Sequence, residues 1–398
     1  MGSATVIIDG IRSPFGRLGG QLSPLTAIDL AAPLIKALLD RHSIGGSFVN
    51  EVILGQVIQA GCGQIPSRQA AIKAGIPATC ESTTINKVCA SGMRAATIAD
   101  LRIRCGEVEI IIAGGMESMS QAPYLTPANT ARFGKRMGDS VLIDSMLHDG
   151  LQCPINNVPM TSYGAQMAAE FNITREAQDE WALRSHQKAL QAQKSGRFGK
   201  EILPFTVNQG KNNVVVDKDE GPRADTSLAA LAALKPVTPE GTITAGNAPG
   251  VNDGACALLL MSEDKAREMQ LKPLAKIIAQ AAVAQDPPYL ATVPALACQK
   301  AMAKAGLGID KIDLLEINEA FAAVVLQSVK MLAANSEKVN VNGGAIALGH
   351  PIGASGARII LTLAKEMQLR GVKYGAATIC SGTGQGDCVI LSREGLYQ

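Results

Sequence analysis

Short apolar runs alternate with amphipathic stretches along most of the chain, and this alternation predicts strands and helices in turn. The apolar residues 4–9 predict a first strand, and the run 83–88 predicts a later one. A helix is expected after 83–88, because apolar residues there follow a spacing close to 3.6 and Gly106 stands where the helix would end. Apolar strands joined by amphipathic helices are typical of parallel-rich sheets covered on both faces, so we expect an α/β fold.

A long internal duplication divides the chain. The pattern Ala-Ser-Gly-Met-Arg at 90–94 returns as Ala-Ser-Gly-Ala-Arg at 354–358, and each copy opens a predicted helix that leads to an apolar strand. The strands that follow, 109–115 and 376–382, also end in a similar way. Two related halves are therefore expected, with the intervening segment 121–246 as an insertion of different composition.

From this duplication we predict an N-terminal half made of residues 1–120 and 247–272, an inserted loop domain over 121–246, and a C-terminal half over 273–398. Within the insertion, residues 175–196 have the pattern of an amphipathic helix. A chain of 398 residues is long enough to form two or three hydrophobic cores.

Composition and charge exclude several classes of function. The 37 basic residues nearly balance the 35 acidic ones and only 3% of residues are aromatic, which argues against a nucleic-acid partner. Nine cysteines without a CxxC pair indicate a reducing compartment, so we expect a cytoplasmic protein. The four histidines lack ligand-like spacing, so no metal site is predicted. No apolar run reaches membrane-spanning length, which argues against a membrane partner.

Cys89 is the first candidate for chemistry, since it lies where the predicted strand 83–88 meets the following helix. Free N–H groups and the positive end of the helix dipole favour a thiolate at such a junction, and Gly92 lets the backbone approach a substrate. A buried structural cysteine is the ordinary alternative for a single Cys. Partners elsewhere in the chain favour the nucleophile.

Two segments near the end of the chain supply those partners. His350 lies in a glycine-rich loop before a predicted helix over 355–368, and Cys380 ends an apolar strand that Gly382 follows closely. A thiol, a base and a second proton donor suit acyl transfer through a thioester. Backbone N–H groups beside the two cysteines suit an oxyanion hole.

Eight motifs occur in the order of one known family. They are Arg12-Ser13-Pro14-Phe15-Gly16, the segment around Cys89, Gly114-Gly115-Met116-Glu117-Ser118-Met119-Ser120, Ala245-Gly246-Asn247-Ala248, Asn252-Asp253-Gly254-Ala255, Asn318-Glu319-Ala320-Phe321, and the segments around His350 and Cys380. With these motifs the chain resembles the thiolase family over nearly its whole length, and within it the acetyl-CoA acetyltransferase branch. The resemblance implies an α/β thiolase fold, in which two duplicated halves stack as five layers αβαβα with an inserted loop domain.

The resemblance also implies a reversible ping-pong Claisen condensation of two acetyl-CoA to acetoacetyl-CoA and CoA. Cys89 would be activated by His350 and acylated, and Cys380 would remove or return the α-proton of the second acetyl-CoA. His350 and a water held by Asn318 would stabilise the enolate oxygen, while the N–H groups of Cys89 and Gly382 would hold the thioester carbonyl. Such roles require Cys89 to rest as a thiolate, so the two cysteine pKa values should lie apart.

The family implies no tightly bound cofactor, because CoA thioesters are its substrates. By resemblance Arg223 would contact the adenine or a phosphate of coenzyme A, and Met160 and Phe321 would line the acyl pocket. Further coenzyme A contacts are implied for Ser185 and Ala248.

By the same resemblance Glu117 and Glu319 would hold loops through hydrogen bonds. The segment 132–138 resembles a tetramer contact, so a homo-oligomer is expected, a dimer and more specifically a tetramer.

Two positions depart from the branch pattern. Pro159 stands where many relatives have an aromatic residue or histidine, and Pro249 replaces a serine. The alternative function is therefore a broader-range 3-ketoacyl-CoA thiolase of fatty-acid β-oxidation. A ketoacyl synthase or an HMG-CoA-synthase-like enzyme does not account for Cys380, and a non-catalytic CoA or lipid carrier would not need Cys89 and His350.

Overall fold

The computed structural model of the protein describes residues 3–210, 212–239 and 241–397. Its strands and helices alternate along the first and last thirds of the chain, and shorter elements fill the middle. The strands are β1 (Thr5–Arg12), β2 (Gly16–Arg17), β3 (Glu51–Gly55), β4 (Glu81–Ile85), β5 (Ile110–Ser118), β6 (Tyr124–Leu125), β7 (Ile143–Asp144), β8 (Gln152–Cys153), β9 (Val158–Pro159), β10 (Phe205–Gln209), β11 (Asn212–Val216), β12 (Asn252–Ser262), β13 (Ala275–Ala284), β14 (Leu314–Ile317), β15 (Tyr374–Ser381) and β16 (Gln385–Ser392).

The described helices are α1 (Ala27–Arg41), α2 (Pro66–Lys73), α3 (Ser91–Arg104), α4 (Ala128–Ala131), α5 (Met160–Glu170), α6 (Arg175–Lys194), α7 (Leu228–Ala232), α8 (Glu263–Glu268), α9 (Val293–Ala305), α10 (Ala322–Leu332), α11 (Ala345–Leu348) and α12 (Ser355–Arg370). They include the three that the apolar periodicity predicts, which are α3, α6 and α12. The predicted helices 175–196 and 355–368 correspond to α6 and α12, each within two residues at its C-terminal end.

One continuous sheet carries both halves of the fold. Its strand order is β14-β15-β16-β13-β1-β12-β5-β3-β4, and β2 adds to β12 outside this path. In the first half β3 runs parallel to β4 and β5, and in the second half β14 runs parallel to β15. A short antiparallel pairing of β1 with β13, which centres on Val6 and Lys276, joins the two halves.

The helices sort into three layers around the two parts of the sheet. The first turns and central faces of α3 and α12 pack against each other between the two parts. Helices α1 and α2 cover the outer face of the first half, and α9 and α10 cover the outer face of the second. The chain therefore has the predicted αβαβα layers.

Local signals explain where individual helices start and stop. At the start of α1, Thr26 and Asp29 form a reciprocal capping box that satisfies two free N–H groups. Helix α12 ends at Gly371, whose φ of +66° suits the left-handed turn that follows. The predicted strand 83–88 is shorter than expected, because β4 ends at Ile85 and a tight turn then leads into α3.

The segment between β5 and β12 carries described strands of at most five residues together with helices that include the 20-residue α6, and buried charges fasten it to the sheet. Arg12 on β1 donates from Nε to Glu201 Oε1 at 2.8 Å and forms two bonds to the carboxylate of Asp219, at 2.6 and 2.9 Å. We propose the division into residues 1–120 with 247–272, 121–246 and 273–398 on this basis. None of the helices described within residues 3–397 has the length and apolar character needed to cross a membrane.

Candidate active site

The turn before α3 presents Cys89 in an unusual backbone conformation. Val88 has a φ of +45°, which is rare for a β-branched residue and costs about 1–3 kcal/mol. The hydroxyl of Ser91 stabilises the turn, because it accepts from Lys87 N at 2.8 Å and donates to Val88 O at 2.6 Å. The strained turn therefore directs the Cys89 side chain away from the sheet and into the cavity described below.

The environment of the Cys89 sulfur differs from the prediction of a resting thiolate. The N–H groups of Cys89 itself and of Gly382 point at the sulfur and favour the thiolate, but burial has the larger effect and raises the pKa of Cys89 to about 11. Helix α3 begins only at Ser91, so the sulfur is not part of its first turn. In the unliganded protein Cys89 is a thiol.

Cys380 ends strand β15 and is buried. Burial raises the pKa of this thiol well above its ordinary value, and the neighbouring Cys89 would raise it further when charged. Both cysteines line the same cavity, and the protein disfavours two thiolates at once. Without substrate both cysteines are therefore thiols, whereas the sequence predicts a thiolate at Cys89.

Ser355 determines the tautomer of His350. The histidine Nδ1 lies 2.6 Å from Ser355 Oγ, and the serine hydroxyl donates its hydrogen to Pro351 O at 2.9 Å. Both contacts form together when the ring N–H is on Nδ1, and we assign this tautomer, which leaves the lone pair on Nε2 free to accept a proton. Burial, with Arg358 nearby, lowers the pKa of His350 to about 3, so the ring is neutral.

Asn318 completes this side of the site. It follows β14, is fully buried, and places its Nδ2 at 3.5 Å from His350 Nε2. Its Oδ1 has no hydrogen-bond partner among the described residues. A buried amide with a free acceptor beside an imidazole is suited to hold a polar atom of a substrate or a water.

These groups open onto a single cavity of about 370 Å³. Cys89, His350, Cys380 and Gly382 line one end of it. The remaining lining is mostly apolar. It includes three residues predicted to contact substrate, Met160, Phe321 and Ala248, and the two prolines that depart from the family pattern, Pro159 and Pro249. The cavity therefore combines nucleophile, base and backbone donors with an apolar pocket.

A second cavity of about 340 Å³ adjoins the first, since Ala248 and Gly250 line both. Arg223 and Arg17 line its outer part, so it offers positive charge at the place where an anionic ligand would enter. Among the residues predicted to bind coenzyme A, Arg223 and Ala248 lie here. This cavity could hold a long, partly anionic ligand that reaches the cysteines through the first cavity.

Ser185 does not fit its predicted contact with coenzyme A. Its hydroxyl is buried, donates to Glu319 Oε2 at 2.7 Å and accepts from Gly344 N at 3.0 Å. The next residue, His186, lines the second cavity instead and accepts a hydrogen bond from Arg223 N at 3.2 Å. Burial, with Arg223 and Arg17 nearby, lowers the pKa of His186 to about 4, so it is neutral.

Glu117 organises the backbone around the site. Its two carboxylate oxygens accept from the N–H groups of Val57 at 3.0 Å, Ile58 at 3.2 Å and Gly353 at 3.0 Å. Burial raises the pKa of this carboxyl to about 8, and the three N–H donors oppose that shift. The loop-holding role predicted for Glu117 agrees with these contacts.

Glu319 has a similar role on the other side of the site. Its carboxylate accepts from Trp181 Nε1 at 3.0 Å, Asn340 Nδ2 at 2.9 Å and Ile346 N at 3.0 Å, besides the hydroxyl of Ser185. Two of these donors lie on α6 and the other two lie in the stretch before His350, so Glu319 ties α6 to the loop before His350 as predicted.

The first turns of α3 and α12 are in backbone contact. A Cβ atom on Gly92 would lie 2.9 Å from both Ala357 N and Gly353 O, and a Cβ on Gly356 would lie 2.4 Å from Met93 N. Real Cβ atoms do not approach backbone so closely, so glycine is required at both positions for steric reasons. The nucleophile turn and the histidine loop are therefore packed together through main-chain atoms.

The described residues contain no group of three or more His, Cys, Asp and Glu side chains placed to hold a metal ion. The groups that the site brings together are a thiol nucleophile, a neutral imidazole base on Nε2, a second thiol, and N–H donors from Cys89 and Gly382.

Comparison with known proteins identifies the family and agrees with this fold. The thiolase N-terminal domain matches residues 5–264, and the thiolase C-terminal domain matches residues 271–393. The chain belongs to the thiolase family.

Full-length relatives share this architecture. An acetyl-CoA acetyltransferase of Escherichia coli is 48% identical over 389 residues, which cover 98% of each chain. An acetyl-CoA acetyltransferase of Chromobacterium violaceum is also 48% identical and covers 97% of this chain and 99% of its own. The crystal structure of the Bacillus anthracis acetyl-CoA acetyltransferase has a TM-score of 0.95 and 41% identity, covering 98% of this chain and 99% of that one.

Proposed function

We propose that the protein is an acetyl-CoA C-acetyltransferase that condenses two acetyl-CoA to acetoacetyl-CoA and CoA, and catalyses the reverse thiolysis. The observation that carries this proposal is the convergence of Cys89, His350 and Cys380 on one cavity. The names of full-length relatives at 45–48% identity support the same activity.

The first half-reaction begins with the thiol of Cys89. As its sulfur bonds to the carbonyl carbon of acetyl-CoA, its proton passes to His350 Nε2. The N–H groups of Cys89 and Gly382, which already point at the sulfur, stabilise the oxyanion of the tetrahedral intermediate. The C–S bond to coenzyme A then breaks, the proton returns to the departing CoA sulfur, and acetyl-Cys89 remains.

The second half-reaction uses Cys380 as the base. The proton of its thiol passes to the free His350 Nε2, and the resulting thiolate takes a proton from the methyl group of the second acetyl-CoA. His350 and Asn318 stabilise the enolate oxygen, for which Asn318 can hold a water through its free Oδ1. The carbanion bonds to the acetyl carbon of acetyl-Cys89, and the Cys89 sulfur leaves and recovers a proton from His350.

Coenzyme A is proposed to lie along the second cavity, with no tightly bound cofactor. The positive charge of Arg223 suits the adenine or a phosphate, while Ala248 suits the pantetheine arm where the two cavities join. Met160 and Phe321 bound the acyl group. Ser185 is left out of this assignment, because its hydroxyl is already bonded to Glu319.

Thiolysis of acetoacetyl-CoA tests the activity directly. Purified protein with acetoacetyl-CoA and CoA should consume free thiol, measured with DTNB in quenched samples, and should form two acetyl-CoA per thiol consumed. The broader-range alternative predicts that 3-ketodecanoyl-CoA is cleaved at a similar kcat/KM. Failure to consume thiol with either substrate would contradict the proposed function.

A homo-oligomeric, cytoplasmic enzyme of lipid metabolism is also proposed. The residues between β6 and α5 expose large apolar side chains, among them Phe133, Met137 and Leu142 at 78%, 88% and 67% exposure, which a subunit contact would cover. All nine cysteines are free thiols, which suits a reducing compartment. Light scattering after size-exclusion chromatography distinguishes a dimer and the expected tetramer from a monomer.

A further inference from the structure

Lys87 and Asp387 form an ion pair next to both cysteines. Lys87 lies two residues before Cys89, and Asp387 lies on β16, which forms a hairpin with the strand that carries Cys380. The Lys87 Nζ atom is 2.5 Å from Asp387 Oδ2. The Lys87 side chain is 17% exposed and that of Asp387 is 1% exposed.

Stability alone does not account for a carboxylate at this position. Neither oxygen of Asp387 has a hydrogen-bond partner among the described residues, so the ammonium of Lys87 is the group that compensates its charge. Removing two charges from water offsets much of their attraction, and a buried ion pair is therefore weak support for stability. A positional role is the better explanation.

The pair joins the two halves of the fold. Lys87 belongs to the turn after β4, whereas Asp387 pairs with Ile379, the residue before Cys380. The same turn receives a second bond from this hairpin, because the Ser381 hydroxyl donates to Lys87 O at 2.5 Å. Both the main chain and the side chain of Lys87 are thus held by the hairpin of the second cysteine.

The turn that this pair holds is the strained one. Val88, between Lys87 and Cys89, has a φ of +45° and packs its side chain against Gly382, where an added Cβ would lie 3.2 Å from Val88 Cγ1. Strain of this kind persists only where the surroundings over-determine the conformation. Contacts on both sides of Val88 meet that condition.

We infer that Lys87 and Asp387 are positioning residues, which hold the strained turn so that the Cys89 sulfur stays against Cys380 and the Gly382 N–H. The inference rests on the proposed acyl transfer at Cys89. The new element is that this ion pair, with one residue from each half of the duplicated fold, sets the rate at which Cys89 reacts.

The test compares Lys87→Met, Asp387→Asn and the double variant with the unmodified protein. Two rates are measured: acetylation of Cys89 by acetyl-CoA, and alkylation of Cys89 by iodoacetamide, followed by peptide mass spectrometry with the exposed Cys105 as internal reference. A displacement of about 1 Å can cost about 10²-fold, so we expect each variant to lose tenfold or more in both rates, with a KM for acetyl-CoA within about twofold of the unmodified protein. Lys87→Arg should recover most of the loss.

A matched control exists far from the cysteines. Lys276 Nζ lies 2.6 Å from Glu263 Oε2, and the side chains are 20% and 13% exposed. Lys276→Met therefore breaks an ion pair between β13 and α8, where Glu263 keeps Arg267 as a second partner at 2.9 Å, and it should leave both Cys89 rates unchanged.

If Lys87→Met fails to fold, the double variant Lys87→Met with Asp387→Asn still tests the inference. The double variant removes both charges, so no buried charge is left without a partner. Rates within twofold of the unmodified protein in Asp387→Asn and in the double variant would overturn the inference. So would an equal fall in Cys89 and Cys105 alkylation. If the unmodified protein lacks thiolysis, the proposed function fails, yet the alkylation rates still decide whether the pair positions Cys89.

Discussion

His350 Nδ1 and Ser355 Oγ lie 2.6 Å apart, and this contact assigns the ring proton to Nδ1. Because the Ser355 hydroxyl donates to Pro351 O, it can only accept from the ring. His350 Nε2 is therefore presented as a base, one turn of backbone before α12 begins. Residues that orient a histidine in this way commonly change activity by about 10–100-fold when they are removed.

The first prediction follows from that contact. Ser355→Ala should lower kcat for thiolysis by about 10–100-fold with little change in KM, because His350 loses the acceptor that fixes its tautomer. Ser328→Ala is the matched control. The buried Ser328 hydroxyl, like that of Ser355, donates to the carbonyl four residues earlier, here at 2.7 Å, but Ser328 lies on α10 and its hydroxyl bonds to main-chain carbonyls rather than to His350. Equal kcat in the two variants would contradict the assigned role of Ser355.

A second prediction concerns the covalent intermediate. Cys89→Ala should abolish protein labelling by acetyl-CoA carrying a radioactive acetyl group, because the variant has no sulfur at the strained turn. Circular dichroism should show an intact fold, since alanine is smaller than cysteine and fits the space. Cys105→Ala, at an exposed cysteine, should keep full labelling. Label that persists on Cys89→Ala would assign the intermediate to another residue.

The third prediction separates the two half-reactions. Cys380→Ser should reduce condensation by about 10²-fold or more, because a general base contributes that much, while exchange of acetyl groups between CoA molecules through Cys89 is retained. Cys388→Ala, on the adjacent strand and outside the cavity lining, should leave both reactions intact. Loss of exchange as complete as the loss of condensation would show that Cys380 also serves acylation.

The pH dependence of the free protein is the fourth prediction. Burial raises the pKa of Cys89 to about 11 and lowers that of His350 to about 3, so both groups are neutral between these values. Alkylation by iodoacetamide follows the thiolate fraction, which should rise about tenfold per pH unit from pH 7 to 10. A rate that is constant from pH 6 to 9 would instead indicate a preformed thiolate–imidazolium pair.

Substrate length is the fifth prediction. Met160 and Phe321 bound the acyl cavity, and hydrophobic pockets discriminate by only about 1–3 kcal/mol per methylene, so steric exclusion must select the short acyl group. Acetoacetyl-CoA should be cleaved far better than 3-ketodecanoyl-CoA, and Met160→Ala should narrow the difference. Met167→Ala, in the buried face of the same helix, should lower stability without changing the ratio of kcat/KM values.

Sequence patterns predicted the α/β class and the residues that meet in the cavity, whereas the resemblance to the thiolase family implied the five layers. Cys89, His350 and Cys380 could be recognised because each lies at an element end that the apolar pattern locates within a few residues. The duplication further placed Cys89 in one half and both His350 and Cys380 in the other. The pairing of β1 with β13 was not predicted, since it depends on how the two halves are stacked.

Details that depend on three-dimensional packing were missed. The thiol state of Cys89 follows from burial by distant segments, which outweighs the local N–H groups. Adjacent residues on a helix point about 100° apart, which explains why His186 reaches the second cavity whereas Ser185 does not. The early end of β4 depends on the Ser91 hydroxyl, whose hydrogen bonds a strand pattern does not reveal.

The main-chain contacts made at Gly92 and at Gly356 distinguish the part of this enzyme that can vary from the part that cannot. The distance between the nucleophile turn and the histidine loop is fixed by main-chain atoms in contact, so no change of side chain can adjust it in small steps. The acyl pocket, in contrast, is bounded by side chains such as Met160 and Phe321, which can be exchanged one at a time. The range of substrates can therefore change gradually, one pocket residue at a time. The catalytic geometry cannot, because an added methyl group at either glycine would disrupt it.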